Sequence, residues 1–401
     1  MRYQPRLGNG ELVKLSWSLA LFRWTNPGMW PLDDNTTERD CYLDQAIVVS
    51  GFLAFCIQVQ GGIHYLFNNY RDMDNFFAAL SPALLQTELI IRFIHLAMHK
   101  DPLKKLLKYF YSEIYVSQES DQRSFRRINR QLLGPKLITI FYMATLLNYF
   151  YEFGMNIMAG RREMLFKQAY FFDHRKLPIY IILISINFWA SLLIVTMVFV
   201  DLNLLGELLM HLNVCYLQLE KDLRSAAELL LGSNKTKNIA AKYGEELIKV
   251  LSRNISLNHF AKEIEKQFTF RLFITFSFSS VILCVLLFKS YQNPAENMIF
   301  IFWFIAKFIE QLSFGYIGSI LYQTTNALDM MYYCGEWEQI IYSSHNIEEN
   351  VKLMKLIVLS MQLNSKPFSL TGLNYFRVTL QAIVKILQGA FSYFTFLASM
   401  R

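Results

Sequence analysis

The sequence predicts an all-α, polytopic membrane protein with seven transmembrane helices, a cytoplasmic amino terminus, an extracellular carboxyl terminus and a cytoplasmic anchor of extended helices. Three observations carry this expectation. Hydrophobic residues make up 53% of the chain and charged residues 18%, against about 25% charged in an average soluble domain. The apolar residues fall in long blocks. Lys and Arg collect in alternate connecting segments, as they do on the cytoplasmic face of membrane proteins.

A bilayer span needs about 20 mostly apolar residues, because each helical residue rises about 1.5 Å. Segment 1–42 lacks the compact apolar core and small-residue cleavage site of a signal peptide. Its short WSLALF stretch, between Lys14 and Arg23, reads as an amphipathic lead-in near the membrane surface. The first span, 45–70, has no Asp, Glu, Lys or Arg. The second, 75–99, is apolar except for Glu88 and Arg92. The third covers 137–151 and extends past Glu152, and the fourth, 178–200, is uncharged. The fifth, 272–288, lies between Arg271 and Lys289. The sixth, 298–328, contains Lys307 and Glu310, and the last, 377–400, contains Lys385 beyond its opening Arg377. The spacings of Glu88 with Arg92 and Lys307 with Glu310 put each pair on one helix face. They are expected to neutralise each other between helices, since one charge at a span centre costs about 2.5–3.5 kcal/mol.

Charge orients the spans. With the amino terminus inside, the cytoplasmic segments 1–42, 100–136 and 211–266 hold five, nine and nine Lys and Arg. The opposite set holds one, five and one. Segment 329–350 departs from this pattern, with five acids and no Lys or Arg. Its MMYYCGEWEQI run reads as a packed or partner-contacting surface. The sequons at Asn35, Asn234 and Asn254 all fall on the cytoplasmic side of this topology and are expected to go unused.

Enzyme chemistry is not expected. The chain has no Walker loop, GxGxxG, HExxH, GxSxG or EF-hand pattern. Its seven histidines are scattered, and its five cysteines form no CxxC or Cys/His pair. No catalytic residue, metal or cofactor is predicted. The formal charge of +7 belongs to the cytoplasmic segments. It suggests contact with anionic membrane lipids and not with nucleic acid.

A binding role is expected in the halves of the spans that face outward in this topology. Residues 77–87, 146–153, 180–188 and 300–309 are rich in aromatic and aliphatic side chains at similar depth. Such a lining suits a small apolar or aromatic ligand with one or two hydrogen-bonding points. The candidate lining residues are Phe77, Leu84, Thr87, Tyr149, Phe150, Phe153, Ile184, Phe188, Phe302, Trp303 and Ala306, with Thr87, Tyr149 and Asn187 as polar handles.

The closing stretch carries a family resemblance. Tyr333 and Trp337, then Met361, Lys366-Pro367, Gly372, Phe376, Ser392-Tyr393-Phe394 and Leu397 resemble the closing signature of insect odorant receptors. Gustatory receptors are similar in architecture but end on a Thr-Tyr…Gln-Phe pattern, and this chain lacks that Gln-Phe. The resemblance implies a tetrameric ligand-gated cation channel in which a tuning subunit assembles with a common co-receptor in the plasma membrane of a sensory neuron dendrite. It implies a ligand site among the second, third, fourth and sixth spans and a pore lined by the last helix. The co-receptor carries a large insertion before the fifth span, and the compact 211–266 segment therefore resembles a tuning subunit. The domain division expected is a lead-in (1–42), six spans with the odorant pocket (43–328), an anchor segment (329–375) and the pore-lining helix (376–401).

The last helix suits that role. The Ser365-Lys366-Pro367 break separates a cytoplasmic helix, 351–363, from the spanning one. Gln388, Ser392, Phe396, Ser399 and Met400 follow at helical spacing near one face. A ring of Phe396 side chains would close a pore by dewetting, with Ser399 wetting its mouth. The function expected is an odorant-gated, non-selective cation channel subunit for a small volatile, aromatic or heterocyclic. The alternatives are a gustatory-type channel and a G-protein-coupled chemoreceptor.

Overall fold

The computed structural model describes residues 6, 10, 12–13, 15–32, 38–160, 162, 164, 166–173, 176–232, 238–292, 294 and 298–399. Fourteen α-helices, one 3-10 turn, two π-helical turns and a hairpin of two two-residue strands make up the described fold. Met400, Asn35 and Asn234 lie outside the described residues, as does the side chain of Tyr149.

Helix α1 (Trp17–Thr25) buries Leu19 and Phe22 completely. Trp30, just beyond it, is also fully buried. Helix α1 is therefore packed into the bundle through its apolar face. Its exit is pinned where the Asn26 amide donates to Thr196 Oγ1 at 2.8 Å. Helices α2 (Glu38–Asn68) and α3 (Met73–Met98) form an antiparallel pair joined by a tight turn. The turn ends on Asp72, whose carboxylate accepts from the N–H groups of Asp74 and Asn75 and caps α3.

Helices α4 (Lys100–Tyr109) and α5 (Gln122–Gln131) are short, polar connectors. Helix α6 (Leu133–Met158) follows. Helix α7 (Leu177–Phe199) runs through a π-helical turn, Val200–Leu204, directly into α8 (Leu205–Gly232). Helix α9 (Ile239–Gln292) is a single rod of 54 residues. At 1.5 Å per residue it is about 80 Å long, well beyond a bilayer core of about 30 Å. The segment 211–266, which the charge pattern marks as a loop, is thus two antiparallel helical extensions. No Pro or Gly breaks 247–292, so the helix continues past the point where its apolar run stops.

Helix α10 (Met298–Asn326) leads into α11 (Leu328–Tyr333), α12 (Trp337–Ser343) and α13 (Ile347–Asn364). These short helices pack on the α8 and α9 extensions. Strands β1 (Thr371–Gly372) and β2 (Phe376–Arg377) then turn the chain into α14 (Leu380–Ser399). Leu373 and Asn374 take the left-handed conformation in that turn. A side chain at Gly372 would run into the Phe376 ring, and one at Gly318 on α10 would meet the Val378 carbonyl. Both glycines allow close approaches that any larger residue would block.

Seven helices therefore traverse the bundle. Six of the helical runs are long and apolar enough to cross a membrane by length and composition. The remaining one, α6, is as long as α3 but is diluted by Asn148, Glu152, Asn156 and five tyrosine or threonine residues.

Candidate ligand-binding cavity

An apolar cavity of about 100 Å³ lies between α3, α6, α7, α9 and α10. Aliphatic side chains dominate its wall: Leu85, Leu146, Val195, Val198, Ile282 and Leu286. Tyr142, Phe166 and Trp303 add aromatic surface, and Ala306 leaves room on α10. Three polar atoms in this lining are buried without a hydrogen-bond partner: Ser81 Oγ, Gln86 Nε2 and Ser191 Oγ. A buried unpaired polar group costs about 1–3 kcal/mol, so these three atoms favour a guest that bonds to them.

Of the residues expected at the site, Trp303 and Ala306 line this cavity. Phe150, Phe153, Ile184 and Phe188 line a separate one of about 30 Å³, with the Phe150 and Phe188 rings 4.4 Å apart. Phe77 is buried against Val285 and Phe288, its ring 4.7 Å from that of Phe288. Leu84 lines neither cavity. Phe302 is half exposed on the outside of α10 and cannot contribute to the wall. Two polar handles are already spent. Thr87 Oγ1 donates to the Ala83 carbonyl of its own helix at 2.8 Å. Asn187 donates to the Leu183 carbonyl at 2.9 Å and accepts from Gln58 and Gln168 at 2.9 and 3.2 Å.

The displacement on α3 is rotational. Ser81, Pro82, Leu85 and Gln86 face the cavity, about a third of a turn round the helix from Phe77, Leu84 and Thr87 at 3.6 residues per turn. Hydrophobicity alone selects the greasier face. The polar residues on the other face were the usable signal, because a Gln and a Ser inside a span need an internal partner.

Beneath the cavity lies a buried charge network. Lys307 Nζ, itself in the cavity wall, contacts Glu88 Oε2 at 3.3 Å and Glu310 Oε2 at 3.1 Å. Tyr142 donates to Glu310 Oε2 at 2.8 Å. Glu88 Oε1 pairs with Arg92 at 2.8 Å. Arg92 reaches Asp201 at 2.6 Å, and Arg271 closes the chain on the other Asp201 oxygen. The expected Glu88–Arg92 and Lys307–Glu310 pairs are thus parts of one network of three acids and three bases, spread over α3, the π turn, α9 and α10. Asp201 and Arg271 were not recognised as members because each sits at the margin of an apolar run. Among the described residues no cluster of His, Cys, Asp and Glu could hold a metal ion.

The wall that separates this cavity from α14 is α9. Ile282 and Leu286 face the cavity. Leu283 and Cys284, on the other side, pack with Ala390, Leu387, Phe394 and Leu397 of α14. Gln388, Ser392, Phe396 and Ser399 are exposed on the unpartnered side of α14.

Comparison with known proteins gives a consistent result. A family model described as the 7tm odorant receptor matches residues 72–391. Odorant receptor 74a of Drosophila melanogaster is 48% identical over 400 residues, spanning 100% of this chain and 99% of that protein. Odorant receptor 35a of the same species is 40% identical over 403 residues, spanning 100% and 98%. Among solved structures, the olfactory receptor OR5 of Machilis hrabei in complex with eugenol superposes with a TM-score of 0.74 at 11% identity, covering 96% of this chain and 98% of that one. At that identity the likeness is one of fold.

Proposed function

The chain belongs to the insect odorant receptor family, and on that premise we propose that it is the odorant-binding subunit of a ligand-gated, non-selective cation channel. It is a multi-pass membrane receptor and not an enzyme. The observation that carries the reading is the cavity: apolar walls, three unsatisfied polar atoms, and a position one helix away from α14. The occupant is a small volatile, aromatic or heterocyclic, held by dispersion and by hydrogen bonds to Ser81, Gln86 or Ser191. The complex of a relative by fold with eugenol supports an aromatic guest.

Gating follows from the arrangement of α9. An odorant that binds better when α9 and α10 move shifts the population toward that state, and only by its differential affinity. Because α14 packs on α9 through Leu283, Cys284 and Ala390, the movement carries Phe396 away from the pore axis. Ser392 and Ser399 hydroxyls are bonded to Gln388 and Phe396 carbonyls within the helix, at 2.8 and 2.7 Å. They present lone pairs to a water-filled path without needing another partner.

A shared pore needs other subunits. Ile347, Val351, Met354 and Val358 on α13 are all exposed and spaced four, three and four apart. Such a stripe is the seam of a helix that packs on a neighbour. With the amino terminus in the cytoplasm, this seam lies beneath the plasma membrane and supports assembly of a tetramer with a co-receptor.

The test is whole-cell recording during application of aromatic and heterocyclic volatiles, with and without the co-receptor. The expected result is a cation current that needs both proteins. Odorant responses carried only through a G protein, with no current in excised patches, would overturn the channel reading.

A further inference from the structure

We propose that odorant reaches the cavity through a polar vestibule at the end of the bundle opposite the α8–α9 extension, passing between Phe166 and Trp303. The inference rests on the ligand reading above. A second cavity, of about 340 Å³, sits where α3 begins, α9 ends and α10 begins. Three residues belong to the walls of both cavities: Pro82, Phe166 and Trp303. The two spaces therefore adjoin at these three residues, and the aperture we assign lies between the two aromatic rings.

The chemistry changes across that aperture. On the vestibule side stand Asp74, Asn75, Lys167 and Lys289, with Lys289 Nζ 3.4 Å from Asp74 Oδ1. Asp74 is more than half exposed, so water reaches this space. On the cavity side the surface is almost wholly apolar. Pro82 contributes on both sides. Lacking an N–H, it leaves the Ala78 carbonyl without its helical donor, and Ala78 lines the vestibule. An oxygenated volatile would enter by its polar end and shed water at Phe166 and Trp303, and its apolar body would then fill the cavity.

A bottleneck outside the binding site has a kinetic signature. It changes the rates of entry and exit together and leaves their ratio, the affinity, unchanged. Ala78 belongs to the vestibule and not to the cavity. The experiment uses Ala78→Cys coexpressed with the co-receptor, a membrane-impermeant sulfonate thiosulfonate applied from outside, and the unsubstituted chain as control for the native thiols. The expected result is that modification slows both onset and washout of the odorant current severalfold while the half-maximal concentration stays put. A confirmed modification that leaves both rates unchanged overturns the route in favour of entry from the bilayer. Failure of the reagent to reach the introduced thiol from outside, in protein shown to be at the surface, overturns it too. Ser191→Leu separates the two readings, because it should shift the half-maximal concentration whatever the route. If Ser191→Leu has no effect, the ligand site itself is wrong.

Discussion

Asp201 sits in the π-helical turn between α7 and α8, where one extra residue per turn aims its carboxylate at both Arg92 and Arg271. π turns recur where a side chain must be re-aimed. Asp201→Ala would leave two buried guanidinium groups short of one counter-charge, a loss of about 3–5 kcal/mol for a broken buried pair. Surface expression and thermal melting in detergent should both fall, while the conservative Lys385→Arg on α14 should change neither. His211 lies below the spans, stacked 4.5 Å from Tyr115, with Nδ1 accepting from the Val116 N–H at 3.0 Å. Burial drives its pKa down to about 3 from an ordinary 6.5. The unfolded chain takes up this proton below 6.5 and the folded one does not, so stability is complete above pH 6.5 and declines as pH falls toward 3. Melting temperature measured from pH 7 to pH 5 should drop, and His211→Gln should flatten that slope. Asn254 stands in a sequon that the fold closes off. Its amide is buried and donates to Tyr332 and Asn364 at 3.1 and 2.8 Å, so glycosylation there would require unfolding.

At the scale of elements, the signature near the carboxyl end turns out to be structural. The Trp337 indole donates to the Tyr333 carbonyl at 2.8 Å, holding α11 and α12 together. Gly372 accommodates the Phe376 ring across the hairpin, and Thr325 Oγ1 ties α10 to the Phe368 carbonyl at 3.0 Å. These contacts fix where α14 starts relative to α10. Gly372→Ala should therefore reduce surface expression sharply even though it touches neither cavity nor pore, as read by surface biotinylation. On α13, Val358→Glu should weaken subunit association on a native gel without reducing the amount of folded protein. An unchanged complex would show that the stripe serves another purpose. Span positions were legible because 20-residue apolar runs have few alternative fates. The extension of α8 and α9 was not, since a helix that leaves the bilayer becomes amphipathic and reads as a charged connector.

For the whole molecule, fold and family were readable from composition, the apolar spans and the closing signature, whereas the pocket was readable only in part. Depth along a span follows from residue number, so the helices that line the cavity include α3, α6, α7 and α10 as expected. Rotation about each axis depends on which face finds neighbours, and a helix that is apolar all round gives no hint of it. Trp303 and Ala306 fell on the cavity side; Leu84, Thr87 and Phe302 did not. Ile282 and Leu286 of the fifth span were missed because α9 faces both the cavity and α14. In the proposed channel, this double contact is what would link ligand to pore. The most direct test is the concentration–response curve of Ala306→Leu coexpressed with the co-receptor, normalised to surface protein. Ala306 is 3% exposed at the cavity wall, and the added branch fills space assigned to the odorant in the proposed function. The account predicts a shift to higher half-maximal concentration, greater for bulkier volatiles than for small ones. A curve that superposes on that of the unsubstituted chain for every volatile tested would contradict it.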